Sequence, residues 1–345
     1  MDPNLLHAEV MTFQRKHPFK IAREKACTAN TSIKIAIEHD GVVGLGESKP
    51  SAYYCGETDK RVLAVVAQAE PLLGNDPFQL QDVIRRLWDA FPQSPAAVAG
   101  LDIALHDLVC KLMGVPLYKY FGLNPANTPR TSFTLGLDTI PVMLKKLEEA
   151  REYPILKIKV GAPGDVEILK AIRDNTDAVI RVDANTGWGV DEAIKRINKM
   201  AEYNIELVEQ PIPPKNFEGL RKISRNTCVP IMADEDSVTS ADLPALAGCV
   251  DSINIKLQKS RGLREAMRMI HVAKALGLKV MLGCMSECSI AITAAAHLSP
   301  LAEYADLDSN LLIRDDPYDG VKIRDGKLIL PDRPGVGVVL RRTVG

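Results

Sequence analysis

From residue 123 onward the apolar residues fall into eight short runs separated by amphipathic stretches. The runs end near Gly136, Val160, Asn185, Pro211, Glu235, Leu257, Met285 and Asp308, about one every 25 residues. Between them apolar positions recur with helical period, as in residues 190–203 and 262–276. Eight strand-plus-helix units at a steady pitch predict an α/β fold, a parallel (β/α)8 barrel over residues 123–315. An open doubly wound sheet is the competing arrangement, but no run is followed by a Gly-rich dinucleotide turn. Gly161-Ala162-Pro163-Gly164 also lacks the Lys-Ser/Thr of a phosphate loop.

Residues 1–122 carry a different pattern. Thr31–Glu38 alternates apolar with other residues, Asp40-Gly41 signals a hairpin turn, and Val42–Glu47 returns. The segment before it, His17–Arg23, reads as a loop dense in cationic side chains. From about residue 59 to 114 the pattern is helical; Ser94-Pro95 opens a long Ala- and Leu-rich helix and Gly114-Val115-Pro116 stops it. This is the outline of a small α+β domain. Residues 316–345 show strand and turn character again and are expected to complete that first domain.

Composition narrows the class without choosing a function. At 46% hydrophobic and 25% charged, the chain is ordinary for a globular protein. A net charge of −1, with no basic cluster interleaved with aromatics, gives no support to a nucleic-acid partner. No apolar run approaches the roughly 18–20 residues of a membrane span, and Met1-Asp2-Pro3-Asn4 lacks the features of a secretion signal. The expectation is a cytoplasmic chain with no membrane partner. Cys284 and Cys288 have no second pair at zinc spacing, so the seven cysteines read as free thiols.

Polar residues at the C-terminal ends of barrel strands carry the chemical information, because barrel active sites are built there. The second strand, Ile155–Val160, holds Lys157 and Lys159 on one side. An edge strand with one polar face would account for that pair alone. The next three strands, however, end in Asp183-Ala184-Asn185, Glu209-Gln210-Pro211 and Asp234-Glu235. Three carboxylates on neighbouring strand ends would repel without a cation, and Mg2+ suits such an oxygen set. Lys256 ends the sixth strand, Glu287 lies at the end of the seventh, and Asp306-Leu307-Asp308 ends the eighth.

Lys159 and Lys256 would face each other across the barrel mouth. One amine and one ammonium on two faces of a carbon can remove a proton and return it from the other side. The carbon acid beside a carboxylate is too weak for an unaided lysine, so a divalent ion must stabilise the enediolate. The base needs a pKa lowered towards neutrality, which neighbouring cations would supply.

The motifs Lys157-Ile158-Lys159, Asp183-Ala184-Asn185, Glu209-Gln210-Pro211, Asp234-Glu235 and Asn254-Ile255-Lys256 together resemble the enolase superfamily, in its muconate-lactonizing-enzyme subgroup. Leu105–Leu108 with Pro116–Tyr118, and Pro334–Val338, resemble its domain-joining helix and closing segment, so the likeness spans nearly the whole chain. The resemblance implies a modified barrel with an α+β capping domain. It implies Asp183, Glu209 and Asp234 as ligands of Mg2+ (Mn2+ as a substitute), Lys159 and Lys256 as acid/base catalysts, and Lys157 as their electrostatic partner. Asp306 and Asp308 resemble the Asp-x-Asp motif of dipeptide epimerases, whose carboxylates would accept from a substrate α-ammonium group; an N-cap is the other use of such a residue. Asn185 and Glu287 join them as substrate-binding candidates. Lys20 and Arg23, in the loop that closes over the second residue in this family, suggest an acidic side chain such as that of L-Ala-L-Glu. The alternatives are an o-succinylbenzoate synthase, a muconate cycloisomerase-like enzyme and a non-catalytic binding barrel. Arg261 and Cys288 depart from the family's pattern near the substrate end. The fold class also suggests a homo-oligomer.

Overall fold

The structure, a computed structural model, describes residues 5–22 and 24–341. Three antiparallel strands, β1 (Leu5–Ile21), β2 (Glu24–His39) and β3 (Val42–Ser48), form a sheet in chain order. The segment read as a cationic loop is therefore largely the end of β1. It escaped the alternation rule because the register with β2 shifts between Gln14 and Phe19 and again before Ile21. Helices α1 (Asp59–Leu73), α2 (Leu80–Ala90) and α3 (Pro95–Leu112) cover one face of this sheet. Ile33, Ile35 and Ile37, alternating on β2, bury against Val62, Leu87, Leu101 and Leu105 of those helices. The hairpin lies hard on α3, because a Cβ at Gly44 or Gly46 would strike the carbonyl oxygens of Ala104 and Gly100.

The start of α3 is capped from a distance. Ser94 makes no side-chain cap; its Oγ accepts from Arg61 Nε at 3.0 Å. Glu57 takes over, accepting from the backbone N–H groups of Ala96 (2.9 Å) and Ala97 (3.0 Å).

After α4 (Leu117–Tyr120) the chain enters the barrel. Its strands are β4 (Phe133–Leu135), β5 (Ile155–Lys159), β6 (Val179–Asp183), β7 (Ile205–Glu209), β8 (Ile231–Ala233), β9 (Ser252–Lys256), β10 (Lys279–Gly283) and β11 (Tyr304–Asp306). They lie in sequential order and are parallel throughout. The two edges meet where Thr131 bridges Ala305 and the Ser132 N–H donates to Ala305 O at 3.1 Å, which closes the eight-stranded (β/α)8 barrel. Helices α5 (Ile140–Glu149), α6 (Asp165–Arg173), α7 (Val190–Met200), α8 (Phe217–Asn226), the short α9 (Leu243–Leu246), α10 (Leu263–Ala275) and α11 (Ser289–Leu298) return the chain between strands. The core runs continuously between strands and helices.

Buried carboxylates join the two parts. Asp107 on α3 accepts from Leu45 N (2.7 Å) on β3 and from Val336 N (2.6 Å) in the closing segment. Asp102 accepts from Leu263 N (2.6 Å), and Gln258, just past β9, donates to Glu47 O and accepts from Lys49 N. Glu47 accepts from Cys288 N and Ala291 N at the start of α11. The α+β part is thereby fixed over the C-terminal mouth of the barrel.

Candidate active site

The barrel register sets one charged row at that mouth. Lys159 lies beside Asp183, Asp183 beside Glu209, and Glu209 beside Met232, two residues before Asp234. On the other side Lys256 lies beside Gly283, and Gly283 beside Asp306. Because side chains alternate, Lys157 shares the inward side of Lys159 one step deeper.

These groups form a dense ion cluster. Lys157 Nζ sits 2.7 Å from Asp306 Oδ2, 2.7 Å from Glu209 Oε2 and 3.1 Å from Asp183 Oδ2. Lys159 Nζ donates to Asp183 Oδ2 and Lys256 Nζ to Asp234 Oδ2, each at 2.6 Å. Lys259, fully buried, donates to Asp234 Oδ1 at 2.5 Å. Neutral donors fix the remaining oxygens: Asn254 Nδ2 to Glu209 Oε1 (2.8 Å), Asn185 N to Asp183 Oδ1 (2.9 Å) and Ser132 Oγ to Asp306 Oδ1 (2.7 Å). The turns behind the row are strained, with Asn185, Thr186 and Gln210 at positive φ. That strain aims adjacent strand ends at one point; Gln210 Oε1 accepts from Asp234 N at 2.9 Å.

At Lys256, one of the two acid/base candidates, the pKa runs opposite to the expectation of a lowered base. Burial pulls the Lys157 and Lys256 ammonium groups down, but the carboxylates outweigh it and the net direction is upward for both. Sequence reasoning weighed the lysines against each other; in space each lies nearer a carboxylate than another cation. Burial would raise Asp183 and Asp234, yet the lysines hold both well down. Glu209 is pushed up to about 7 by burial and by Asp183. Asp308 is likewise pushed up to about 7 by burial and by Asp306.

A cavity of about 560 Å³ lies between the mouth and the α+β part, large enough for a small ligand. Lys157, Lys159, Asn185, Lys256, Asp306 and Asp308 line its barrel side. Asp183, Glu209 and Asp234 are fully buried beneath that floor. Other sequence candidates are not brought here. Lys20 lines a separate cavity with Leu137 and Pro163. Glu287 is buried off the cavity wall, accepting from Met285 N at 3.1 Å, and its carboxyl is raised to about 8 by burial and by Glu47. Arg23 lies outside the described residues. Arg261 reaches outward to Pro92 O (3.1 Å), and Cys288 Sγ turns to Glu47 Oε2 (3.0 Å), so neither departure from the family's pattern shapes the cavity. Sequence reasoning missed Arg15, Asn30 and Lys49 on the upper wall. A cation beside a buried hairpin end, as in Glu47-Ser48-Lys49, is the one signal that marked any of them.

The carboxylates fit a hard divalent cation. Glu209 Oε2 is buried without a hydrogen bond, its contact with Lys157 lacking the alignment of one. Burial first and Asp183 second push Glu209 upward, a penalty on its carboxylate that a bound cation would offset. Among the described residues no preformed three-ligand cage stands ready, because the lysine ammonium groups lie between the oxygens.

Two family models cover the chain: the mandelate racemase / muconate lactonizing enzyme N-terminal domain over residues 7–122 and the enolase C-terminal domain-like family over residues 142–344. The chain belongs to the enolase superfamily. Within it, the chain is 42% identical to an L-Ala-D/L-Glu epimerase of Bacteroides thetaiotaomicron, over 94% of this chain and 85% of the relative. A dipeptide epimerase of Enterococcus faecalis, solved with Mg and L-Leu-L-Tyr, superposes with a TM-score of 0.90 at 34% identity, over 96% of this chain and 98% of that one. The substrate-liganded L-Ala-D/L-Glu epimerase of Bacillus subtilis gives a TM-score of 0.93 at 28% identity, over 98% and 99%. Two of these relatives are named for the same dipeptide, L-Ala-D/L-Glu, whereas the Enterococcus faecalis enzyme was solved with L-Leu-L-Tyr.

Proposed function

We propose that this protein is a Mg2+-dependent dipeptide epimerase that inverts the α-carbon of the C-terminal residue. The observation that carries the proposal is the placement of Lys159 and Lys256. They stand on β5 and β9, four strands apart in an eight-stranded barrel, and both face one cavity. A planar reacting carbon held between them has one lysine on each face. One lysine, as the free amine, takes the α-proton; the other, as ammonium, delivers a proton to the opposite face. The pair exchanges its protonation states and the α-carbon is inverted. Lys157, one step deeper on β5 and shared by three carboxylates, is a fixed charge rather than a proton carrier.

Asp183, Glu209 and Asp234 are the residues that would hold Mg2+, which would supply positive charge to the substrate carboxylate and compete with the lysines for these oxygens. Asp306 and Asp308 on the same rim would accept hydrogen bonds from the substrate's α-ammonium group. This rim disfavours a synthase or cycloisomerase acting on substrates without an ammonium, since Asp308, which accepts from the neutral Thr134 N–H at 2.6 Å, would then face the ligand without a cation. A cytoplasmic setting is supported by the seven free cysteines. Homo-oligomerisation, suggested by fold, is read by sedimentation. Initial rates of epimerisation of a dipeptide panel test the reaction itself. Lys159→Ala and Lys256→Ala should each lower kcat by at least about 10³-fold, and full activity in both would exclude the two-base mechanism.

A further inference from the structure

The three-stranded sheet of the α+β part has one edge left open among the described residues. β1 is its outer strand, and over Leu5–Gln14 it pairs in regular register with β2 alone. At Gln14 and Arg15 the outer side is taken: Arg15 bridges Ile313, Gln14 O accepts from Arg314 N at 2.8 Å, and Gln14 N donates to Asp315 Oδ1 at 2.7 Å. From Leu5 to Thr12, among the described residues, no backbone group outside the sheet bonds the outward side. The devices that ordinarily protect an edge are missing there. Residues 5–12 hold no Lys, Pro or Gly, and the register shifts begin only after Gln14. Leu5 and Val10 are 48% and 46% exposed. An open edge of this length, roughly 27 Å, is a template for a further strand.

We propose that this edge pairs antiparallel with the same edge of a second copy of the chain, about a two-fold axis at Ala8, so that two three-stranded sheets become one of six. The residues along the edge select both partner and register. A two-fold axis normal to the sheet makes the two β1 strands antiparallel and keeps each face on its own side. With the axis at Ala8, Leu6 lies opposite the partner's Val10, Leu5 opposite the partner's Met11, and His7 opposite the partner's Glu9, each contact occurring twice. Leu6 and Ala8 already pack against the apolar core on the helix side, so that face continues apolar across the axis. On the other face Glu9 reaches Lys34 of β2 at 2.5 Å, and with its side chain 62% exposed it has room to accept an imidazole N–H as well. Moving the axis spoils the match: at Glu9 two carboxylates would face each other, and at His7 each Leu5 would face a carboxylate. Such self-complementarity is what an interface between identical chains requires, and a foreign strand would not account for it. The proposal gives an interface to the homo-oligomer suggested by the fold and is independent of the reaction.

The test is sedimentation of the full chain at micromolar concentration, joined to a cross-link at the axis. The wild type should sediment as a dimer or a multiple of one. His7→Glu sets carboxylate against carboxylate twice, and Val10→Lys sets an ammonium against Leu6 twice. Each should raise the dimer dissociation constant at least about tenfold. Exchanging the pair, His7→Glu with Glu9→His, should recover most of the loss, which separates mismatched pairing from damage to the fold. Across the axis the two Ala8 Cα atoms would stand about 4.5–5.5 Å apart, within reach of a disulfide. Ala8→Cys oxidised with copper–phenanthroline should therefore give a covalent dimer beyond whatever the exposed Cys55 and Cys228 of the wild type give. A monomeric wild type would overturn the interface and the homo-oligomer together. An oligomer that keeps its assembly in His7→Glu and Val10→Lys, or that yields no Ala8→Cys cross-link, would overturn the interface alone and leave the oligomer and the epimerase reading standing.

Discussion

Replacing Lys157 by Met gives the sharpest physical test of the ion cluster. Lys157 is 1% exposed and lies within 3.1 Å of oxygens from Asp183, Glu209 and Asp306. Removing its charge leaves three buried carboxylates without the cation they share, and breaking a buried pair costs about 3–5 kcal/mol. An unfolding entropy of about 2.1 cal/mol/K per residue over 345 residues gives roughly 0.7 kcal/mol/K. The Tm should therefore fall by about 4–7 °C, read by thermal unfolding in chelator. Lys159→Met is the control. Lys159 contacts Asp183 alone, at 2.6 Å, and Asp183 keeps Lys157 in that variant, so the fall should be clearly smaller. The Lys157→Met deficit should also shrink as pH falls, because protonating Glu209 relieves the excess negative charge. Equal melting of both variants, or no fall in Lys157→Met, would refute the assignment of Lys157 as the shared counter-charge.

Three further outcomes follow from the same geometry. His297 is fully buried, accepts from Tyr118 N (3.2 Å) and donates to Val336 O (2.9 Å), and burial lowers its pKa to about 4. Its neutral form contributes stability that is fully present above the unfolded value near 6.5 and is lost as pH falls towards 4. The loss is roughly 3 kcal/mol at most, read as the pH dependence of urea midpoints, and His297→Gln should flatten that slope. Asp308, raised to about 7, must be ionised to accept from an α-ammonium group, so KM should rise as pH falls through about 7. Asp308→Asn should raise KM at all pH values and remove that limb. Asp306→Asn leaves Lys157 with two of its three carboxylates, so it should raise KM for dipeptides and lower the Tm less than Lys157→Met does.

The barrel and its charged row were legible because both follow from local rules. Strand pitch fixes the fold, and in a parallel barrel the last residue of each strand points to the same mouth. Lys159, Asp183 and Glu209 thus declared themselves neighbours before any coordinate was known. What failed depended on tertiary placement. β10 ends at Gly283, earlier than the apolar pattern suggested, so Glu287 sits in the turn before α11 with its side chain held off the cavity. Residues 17–21 belong to a strand whose register shifts hide its alternation. Arg15 and Lys49 are surface-type residues by composition, and their burial, full for Arg15 and partial for Lys49, comes with the docking of the α+β part over the barrel. The upward direction at Lys157 and Lys256 likewise needed distances, since each meets its nearest carboxylate at 2.6–2.7 Å and the nearest neighbour decides.

Proton NMR of L-Ala-L-Glu incubated with the protein and Mg2+ in D2O tests the two-lysine account most directly. The account predicts that the α-proton signal of the C-terminal residue disappears as deuterium enters, that the signals of the D-epimer grow, and that the N-terminal Ala α-proton persists. Persistence of the C-terminal α-proton, with this peptide and across a dipeptide library, would contradict it.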